Sequence, residues 1–303
     1  MWNLRRRDFL KLGAAGASLG LLRAFGPGGQ PSPTAAWAAP AAGVKRGGTF
    51  TVARTMAVTE FNPLRTVMGH YAYMRALYNT LLHYDEKLQP QPELAEKWDF
   101  SADGKTMTLK LHQGVMFHSG REFTSADVKS TWEFATTEDT VTMRPMFRAI
   151  KHVETPDKYT AVLKFDSIYP GVFDLLDMLY ILDKDTLANR AKTAVGTGPF
   201  RLDRYIPNDR IEMVAFKDYW EQSKPYLNRY VAREIPDLAS LAINLETGAV
   251  DCIWQPTNLD YIRLKDSGKF VCDLGAPGPT LYDVAINVTV EPFKNKKALP
   301  PRS

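Results

Sequence analysis

The residue types able to do chemistry are few in this sequence and are not spaced for it. His70, His83, His112, His118 and His152 stand apart, and none lies at zinc-ligand spacing from a second histidine, a cysteine or a paired acid. There is no Gly-x-Ser-x-Gly step, and no histidine sits in a segment suggestive of a catalytic triad. Gly196-Thr197-Gly198 lacks the Lys-Ser/Thr that would make it a phosphate loop, so it reads as a turn at a domain junction. Cys252 and Cys272 fall in two expected strands and could bridge in an oxidising compartment or stay as separate buried thiols; spacing does not decide between them. These residues point away from an enzyme, a resident metal or a bound cofactor.

The elements that must position any site come from a globular chain. With 45% hydrophobic and 24% charged residues over 303 positions, there is enough apolar material for two packed units. The net charge of +4 belongs to the first 38 residues, where Arg5, Arg6, Arg7, Lys11 and Arg23 face only Asp8. The rest is neutral and offers no basic face for nucleic acid. Those 38 residues run from a cationic start through the apolar stretch Leu12 to Leu22 and a Pro27-Gly28-Gly29 break to alanine-rich sequence, the order of a targeting segment. Arg6-Arg7-Asp8-Phe9-Leu10-Lys11 resembles the twin-arginine export signal, with cleavage expected after Ala38. The apolar stretch is shorter than the roughly 20 residues a membrane span needs.

Thr49 to Ala53 reads as a short strand, and Phe61-Asn62-Pro63 as a turn in the loop beyond it. Apolar positions from Tyr71 to Leu82 recur at helical spacing. Leu94 to Trp98 is expected to be a short helix or turn. Hairpins are expected around Asp103-Gly104, Pro156-Asp157-Lys158 and Asn208-Asp209, and a helix opening at Thr124-Ser125-Ala126-Asp127 carries a capping box. A strand from Asn228 to Ile235, a helix from Pro236-Asp237 to about Glu246 and a strand from Val250 to Trp254 form a βαβ unit. A helix from Thr257 to Lys265 and strands at Lys269 to Leu274 and Tyr282 to Asn287 extend it.

Several stretches, taken in order, resemble the peptide- and nickel-type (family 5) extracytoplasmic solute-binding proteins of ATP-binding-cassette transporters. They include Gly47-Gly48-Thr49-Phe50, Phe61-Asn62-Pro63-Leu64, Leu77-Tyr78-Asn79-Thr80-Leu81-Leu82, Pro92-Glu93-Leu94-Ala95-Glu96-Lys97-Trp98 and Asp103-Gly104-Lys105-Thr106. They continue with Phe117-His118-Ser119-Gly120, Phe123-Thr124-Ser125-Ala126-Asp127-Val128, Gly196-Thr197-Gly198-Pro199-Phe200 and Asp218-Tyr219-Trp220. The resemblance implies an α/β, type II periplasmic binding protein fold of two lobes that enclose a solute. It implies an N-terminal lobe built from 45–82 and 195–293 with an inserted α+β subdomain at 83–194. It also implies a periplasmic, non-catalytic import component that works with a membrane permease, as a monomer, on peptides, opines, sugars or metallophores. An exported hydrolase, or a chemoreception or other interaction protein on the same scaffold, is the alternative. From Lys294 to Ser303 the sequence departs from the family pattern, so 294–303 is read as an aberrant tail, the second lobe is expected to be missing and binding by this chain alone is expected to be weak.

The ligand-facing candidates follow from topology, as loops at the carboxyl ends of strands. They are Thr55, Met56 and Ala57 after the first strand, Trp254, Gln255, Pro256 and Thr257 after the strand at Val250, and more weakly Tyr71 and Tyr73. For Trp254, a place in the core is an equal expectation.

Overall fold

The computed structural model describes residues 45–56, 61–65, 71–189 and 193–273. The chain divides into a main unit that runs to Asp260 and a second unit from Tyr261. The leader, Ala57, the expected strand at Tyr282 to Asn287 and the tail all lie outside the described residues.

The main unit opens with β1 (Thr49–Arg54), and the fold is organised around it. β8 (Phe200–Ile206), β9 (Arg210–Ala215) and β10 (Arg229–Glu234) form an antiparallel meander whose last strand runs parallel to β1. The helix α5 (Leu238–Glu246) then leads to β11 (Cys252–Ile253), which pairs parallel to the other edge of β1. The five-stranded order is β11-β1-β10-β9-β8, so β1, the first strand among the described residues, sits between two strands formed later in the chain. Local chemistry explains these elements. Asn208, at φ 59°, supplies the left-handed residue between β8 and β9. The Asp237 carboxylate accepts the Ser240 amide at 2.7 Å and so caps α5.

Among the described residues, strands between 82 and 165 pair only with one another. β2 (Leu82–Tyr84) and β3 (Pro90–Pro92) form one ribbon; β4 (Ala95–Phe100), β5 (Thr106–Leu111), β6 (Ile150–Asp157) and β7 (Thr160–Phe165) form a four-stranded sheet in the order β4-β5-β7-β6. The helix α2 (Ser125–Thr137) packs on that sheet. Its capping box is present, with the Asp127 carboxylate accepting the Thr124 amide at 2.9 Å. The short α3 (Arg144–Phe147) and α4 (Val172–Met178) complete this region. Arg121 stitches it together, since its guanidinium meets both Asp127 and Asp183, two carboxylates that are fully buried.

One contiguous apolar core nevertheless runs from β5 and β7 through α1 (Tyr71–Leu77) to β8, β9 and β10. Met74, Leu77, Tyr78 and Leu81 are essentially unexposed within it, each contributing about 1.5–3 kcal/mol by burial. A smaller core of Ala53, Ile235, Leu241 and Val250 lies under α5.

Four local expectations are corrected. Leu94 to Trp98 is not helical but belongs largely to β4, which pairs antiparallel with β5 from Ala95 onward, while the Leu94 and Ala95 amides donate to the Thr80 and Leu81 carbonyls. The helix expected from Tyr71 to Leu82 ends at Leu77, whose carbonyl accepts the amide of Gly198 from a distant part of the chain at 3.0 Å. The strand expected from Val250 to Trp254 shortens to Cys252–Ile253, since β1 pairs with it at only two positions. The described part of Lys269 to Leu274 forms no strand, and Val271 is fully exposed. Cys252 and Cys272 are both free thiols.

Candidate ligand-binding site

β1 lies between two parallel neighbours, with Arg54 in register with Glu234 of β10 and Ala53 in register with Ile253 of β11. Three strands therefore finish side by side, and backbone bonds hold their ends together. The Ile235 amide donates to the Arg54 carbonyl at 2.8 Å, and the Trp254 amide donates to the Ala53 carbonyl at 2.9 Å. Open α/β sheets admit ligands in the crevice beyond such carboxyl ends.

Of the candidates read from sequence, Thr55, Met56, Trp254 and Gln255 directly follow the ends of β1 and β11. Thr55 is half-buried and Met56 exposed directly after β1. Trp254 is half-buried, while Gln255 is exposed and held at φ 59°, a left-handed conformation in which a non-glycine residue is strained. Thr257 has a local task instead, accepting the Asp260 amide at 3.1 Å and donating to the Asp260 carboxylate at 2.7 Å. Thr257 thereby caps the start of α6 (Asn258–Asp266). Tyr71 opens α1. Tyr73 is wholly buried beneath Arg54, whose guanidinium carbon lies 4.7 Å from the ring centroid.

Arg54 and Glu234 were not among those candidates, yet they are the charged groups that end β1 and β10. Arg54 is 2% exposed, with all three of its side-chain nitrogens shut off from solvent. Burial pushes its pKa below the usual guanidinium range, against the favourable fields of Tyr73 and Glu234. The nearby Tyr230 phenol is pushed up to about 12, chiefly by burial. The sequence signal was a cation closing an otherwise apolar strand, Phe50-Thr51-Val52-Ala53-Arg54.

Behind this edge, the Gly196-Thr197-Gly198 segment docks against the end of α1. A Cβ on Gly196 would stand 2.1 Å from the Leu77 carbonyl oxygen, and one on Gly198 2.5 Å from that of Ala76. Glycine is required here for close approach of two backbones. The Thr197 hydroxyl and the Trp220 indole both donate to the Asn79 carbonyl oxygen, at 3.0 and 3.3 Å. Asn79 in turn donates to Glu93 at 2.7 Å, and Glu93 also accepts from the amide and hydroxyl of Thr80. Among the described residues no group of three or more His, Cys, Asp or Glu is placed to hold a metal ion, and no helix is long and apolar enough to cross a membrane.

Comparison with known proteins agrees with this architecture. Residues 89–298 match the family model described as bacterial extracellular solute-binding proteins, family 5 Middle. A Brucella ovis protein named as an ABC transporter peptide-binding protein is 30% identical over 237 residues, covering 74% of this chain and 44% of that protein. The glutathione-binding protein GsiB of Pectobacterium atrosepticum is 26% identical over 230 residues, covering 74% of this chain and 45% of that one. The oligopeptide-binding protein AppA of Bacillus subtilis, solved with a nonapeptide, superposes with a TM-score of 0.68 at 28% identity over 75% of this chain and 47% of AppA. The chain thus has the type II periplasmic binding protein architecture of the oligopeptide-binding type, and it spans a little under half the length of the relatives it matches. From the family model and the Brucella relative together, the chain belongs to family 5 of the bacterial extracellular solute-binding proteins.

Proposed function

We propose that this chain supplies the N-terminal lobe's share of a solute-binding site in an ABC importer, capturing a peptide or similarly small polar solute outside the cytoplasm and presenting it to a membrane permease. The observation that carries this reading is the convergence of the ends of β1, β10 and β11 into one polar-rimmed edge, in a family whose named relatives bind peptides and glutathione. The rim comprises Thr55, Met56, Trp254 and Gln255. The region 83–194 serves as a subdomain inserted into a lobe built from 45–82 and 195–293. The protein acts by binding alone, without catalysis, and as a monomer.

Arg6 and Arg7 direct export of the folded chain through the twin-arginine route. Thermal melting of the purified chain with a mixed di- to pentapeptide library, and separately with glutathione, tests the binding reading. A rise in melting temperature that grows with ligand concentration supports it, and an unchanged transition at millimolar ligand contradicts it. Fractionation of cells that express the Arg6→Lys/Arg7→Lys variant tests the route, which predicts retention of that variant in the cytoplasm.

A further inference from the structure

One face of the β8–β9–β10 meander belongs to the core that includes α1, and there Phe200, Ile211, Met213 and Ala232 are buried. Strand alternation sends the intervening residues to the opposite face, where five arginines stand around one glutamate. Arg204 of β8 is directly opposite Glu212 of β9, Arg201 of β8 and Arg229 of β10 flank Val214, and Arg210 of β9 is directly opposite Arg233 of β10. Glu212 accepts from Arg210 at 2.6 Å and from Arg229 at 3.0 Å, while Asp203 accepts from Arg229 at 2.8 Å. Asp209, in the β8–β9 turn, also meets Arg210. Arg201, Arg204 and Arg233 form no salt bridge among the described residues, and the first two are exposed. Five arginines thus share three carboxylates on one face, although the chain after the leader is neutral as a whole.

We propose that this face is a docking surface for an acidic segment of a partner protein, whose carboxylates seat on Arg201, Arg204 and Arg233. Like charges placed directly opposite each other across an antiparallel pair destabilise a sheet, and Arg233 opposite Arg210 is such a pair. An added carboxylate between them turns that repulsion into attraction. The three strands contain no lysine. Arginine is the cation enriched where proteins meet and lysine is depleted there, because the planar guanidinium is weakly hydrated and takes a carboxylate through two parallel bonds. Arg229 already bonds two carboxylates on this face, so a partner's acids extend a pattern the sheet has begun. Complementary charge of this kind steers encounter and fixes register. The inference goes beyond the solute-binding reading and does not depend on which solute the chain captures.

The test offers decaglutamate, capped at both ends, to the full chain at low salt, with titration calorimetry as the readout. The expected result is binding that weakens as salt is added and that is about tenfold weaker in Arg201→Gln/Arg204→Gln/Arg233→Gln. The control, Lys87→Gln/Lys97→Gln/Lys105→Gln, removes as many exposed cations from the 83–194 region and should bind as the wild type does. Equal losses in the two variants would overturn the proposal by reducing it to an effect of net charge, and so would a wild-type chain that ignores decaglutamate. Vesicles of phosphatidylglycerol and phosphatidylcholine form a parallel arm. If they capture the chain more tightly than decaglutamate does, with the same loss in the arginine variant, the face belongs to a membrane surface and the protein partner is overturned. Thermal melting of the arginine variant should not fall below that of the wild type, since it removes the opposed Arg210–Arg233 pair. A clear fall would mark the three arginines as structural and overturn the docking role.

Discussion

The His118 imidazole Nε2 donates to the carbonyl of Gly198 at 2.9 Å, joining a turn of the 83–194 region to the glycine-rich segment that returns the chain to the main sheet. The same turn is bonded back through the His118 amide to the Gly196 carbonyl at 2.8 Å, and the Gly196 amide points at Nδ1 at 3.3 Å. Both ring nitrogens are thus engaged by backbone with the ring neutral, and the Phe216 ring closes the edge with a centroid distance of 4.9 Å. Burial outweighs the pull of the Gly198 and Ala194 carbonyls and pushes the His118 pKa down to about 4.

A pH dependence of stability follows. Because the folded pKa is depressed below the unfolded value of 6.5, the unfolded chain binds the extra proton first as pH falls. The contribution of neutral His118 is therefore complete above pH 6.5, declines below it, and is gone once pH passes through about 4. It amounts to at most about 3 kcal/mol. Urea unfolding between pH 4 and pH 7 should show this loss in the wild type. His118→Gln should lack it, and should be less stable by about 1–2 kcal/mol at neutral pH for the lost hydrogen bonds.

Gly196 and Gly198 should not accept alanine. The added Cβ would fall 2.1 Å and 2.5 Å from main-chain carbonyl oxygens of α1, and backbone cannot swing aside as a flexible side chain does. Each substitution is expected to cost roughly 3 kcal/mol or more, in line with severe overpacking. Gly114→Ala is the control: its φ of 72° is unfavourable but its surroundings are open, so about 1 kcal/mol is expected. Urea midpoints for the three variants check the order.

How much of this was legible in the sequence can be judged residue by residue. The β8–β9 hairpin could be read because Asn208-Asp209 interrupts two alternating runs and Asn tolerates the positive φ it adopts. The α2 cap could be read because Thr124 and Asp127 act on each other within one turn. The later part of β4 could be read as one arm of the Asp103-Gly104 hairpin, but its start could not, because the amides of Leu94 and Ala95 bond to Thr80 and Leu81, partners that no local pattern in 94–98 reveals. The end of α1 was hidden for the same reason, being set by Gly198 more than a hundred residues away. At the candidate site, strand order alone pointed to the loops after Ala53 and Ile253. The buried charge of Arg54 and the capping duty of Thr257 depend on neighbours that only the folded chain brings together.

The Arg121 cluster should be far more sensitive than a surface ion pair. Arg121 meets Asp127 and Asp183 together and receives further support from Asp185 at 3.1 Å, and the first two carboxylates are fully buried. These carboxylates, together with the Tyr84 to Asp174 and Arg75 to Asp177 bonds, hold α2 and α4 in place. Arg121→Met removes the only cation shared by Asp127 and Asp183 among the described residues, and breaking one side of a buried pair costs about 3–5 kcal/mol. Arg121→Lys keeps the charge but cannot bond two carboxylates through a planar fork, so it should recover only part of that loss. Chemical denaturation of both variants checks the ranking.

Gln255 separates binding from stability at the proposed rim. At φ 59° its backbone is strained, and Gln255→Gly relieves that strain while also loosening the unfolded chain, which leaves a net gain of up to about 1 kcal/mol. Gln255→Ala keeps the strain and removes the same side-chain amide. If the exposed Gln255 side chain touches solute, both variants weaken peptide binding to a similar degree while only the glycine variant melts at a higher temperature. If Gln255 serves only to turn the chain from β11 toward α6, both bind as the wild type does and the stability difference remains. Calorimetric titration beside thermal melting tells these outcomes apart, because strain relief alone changes melting without changing affinity.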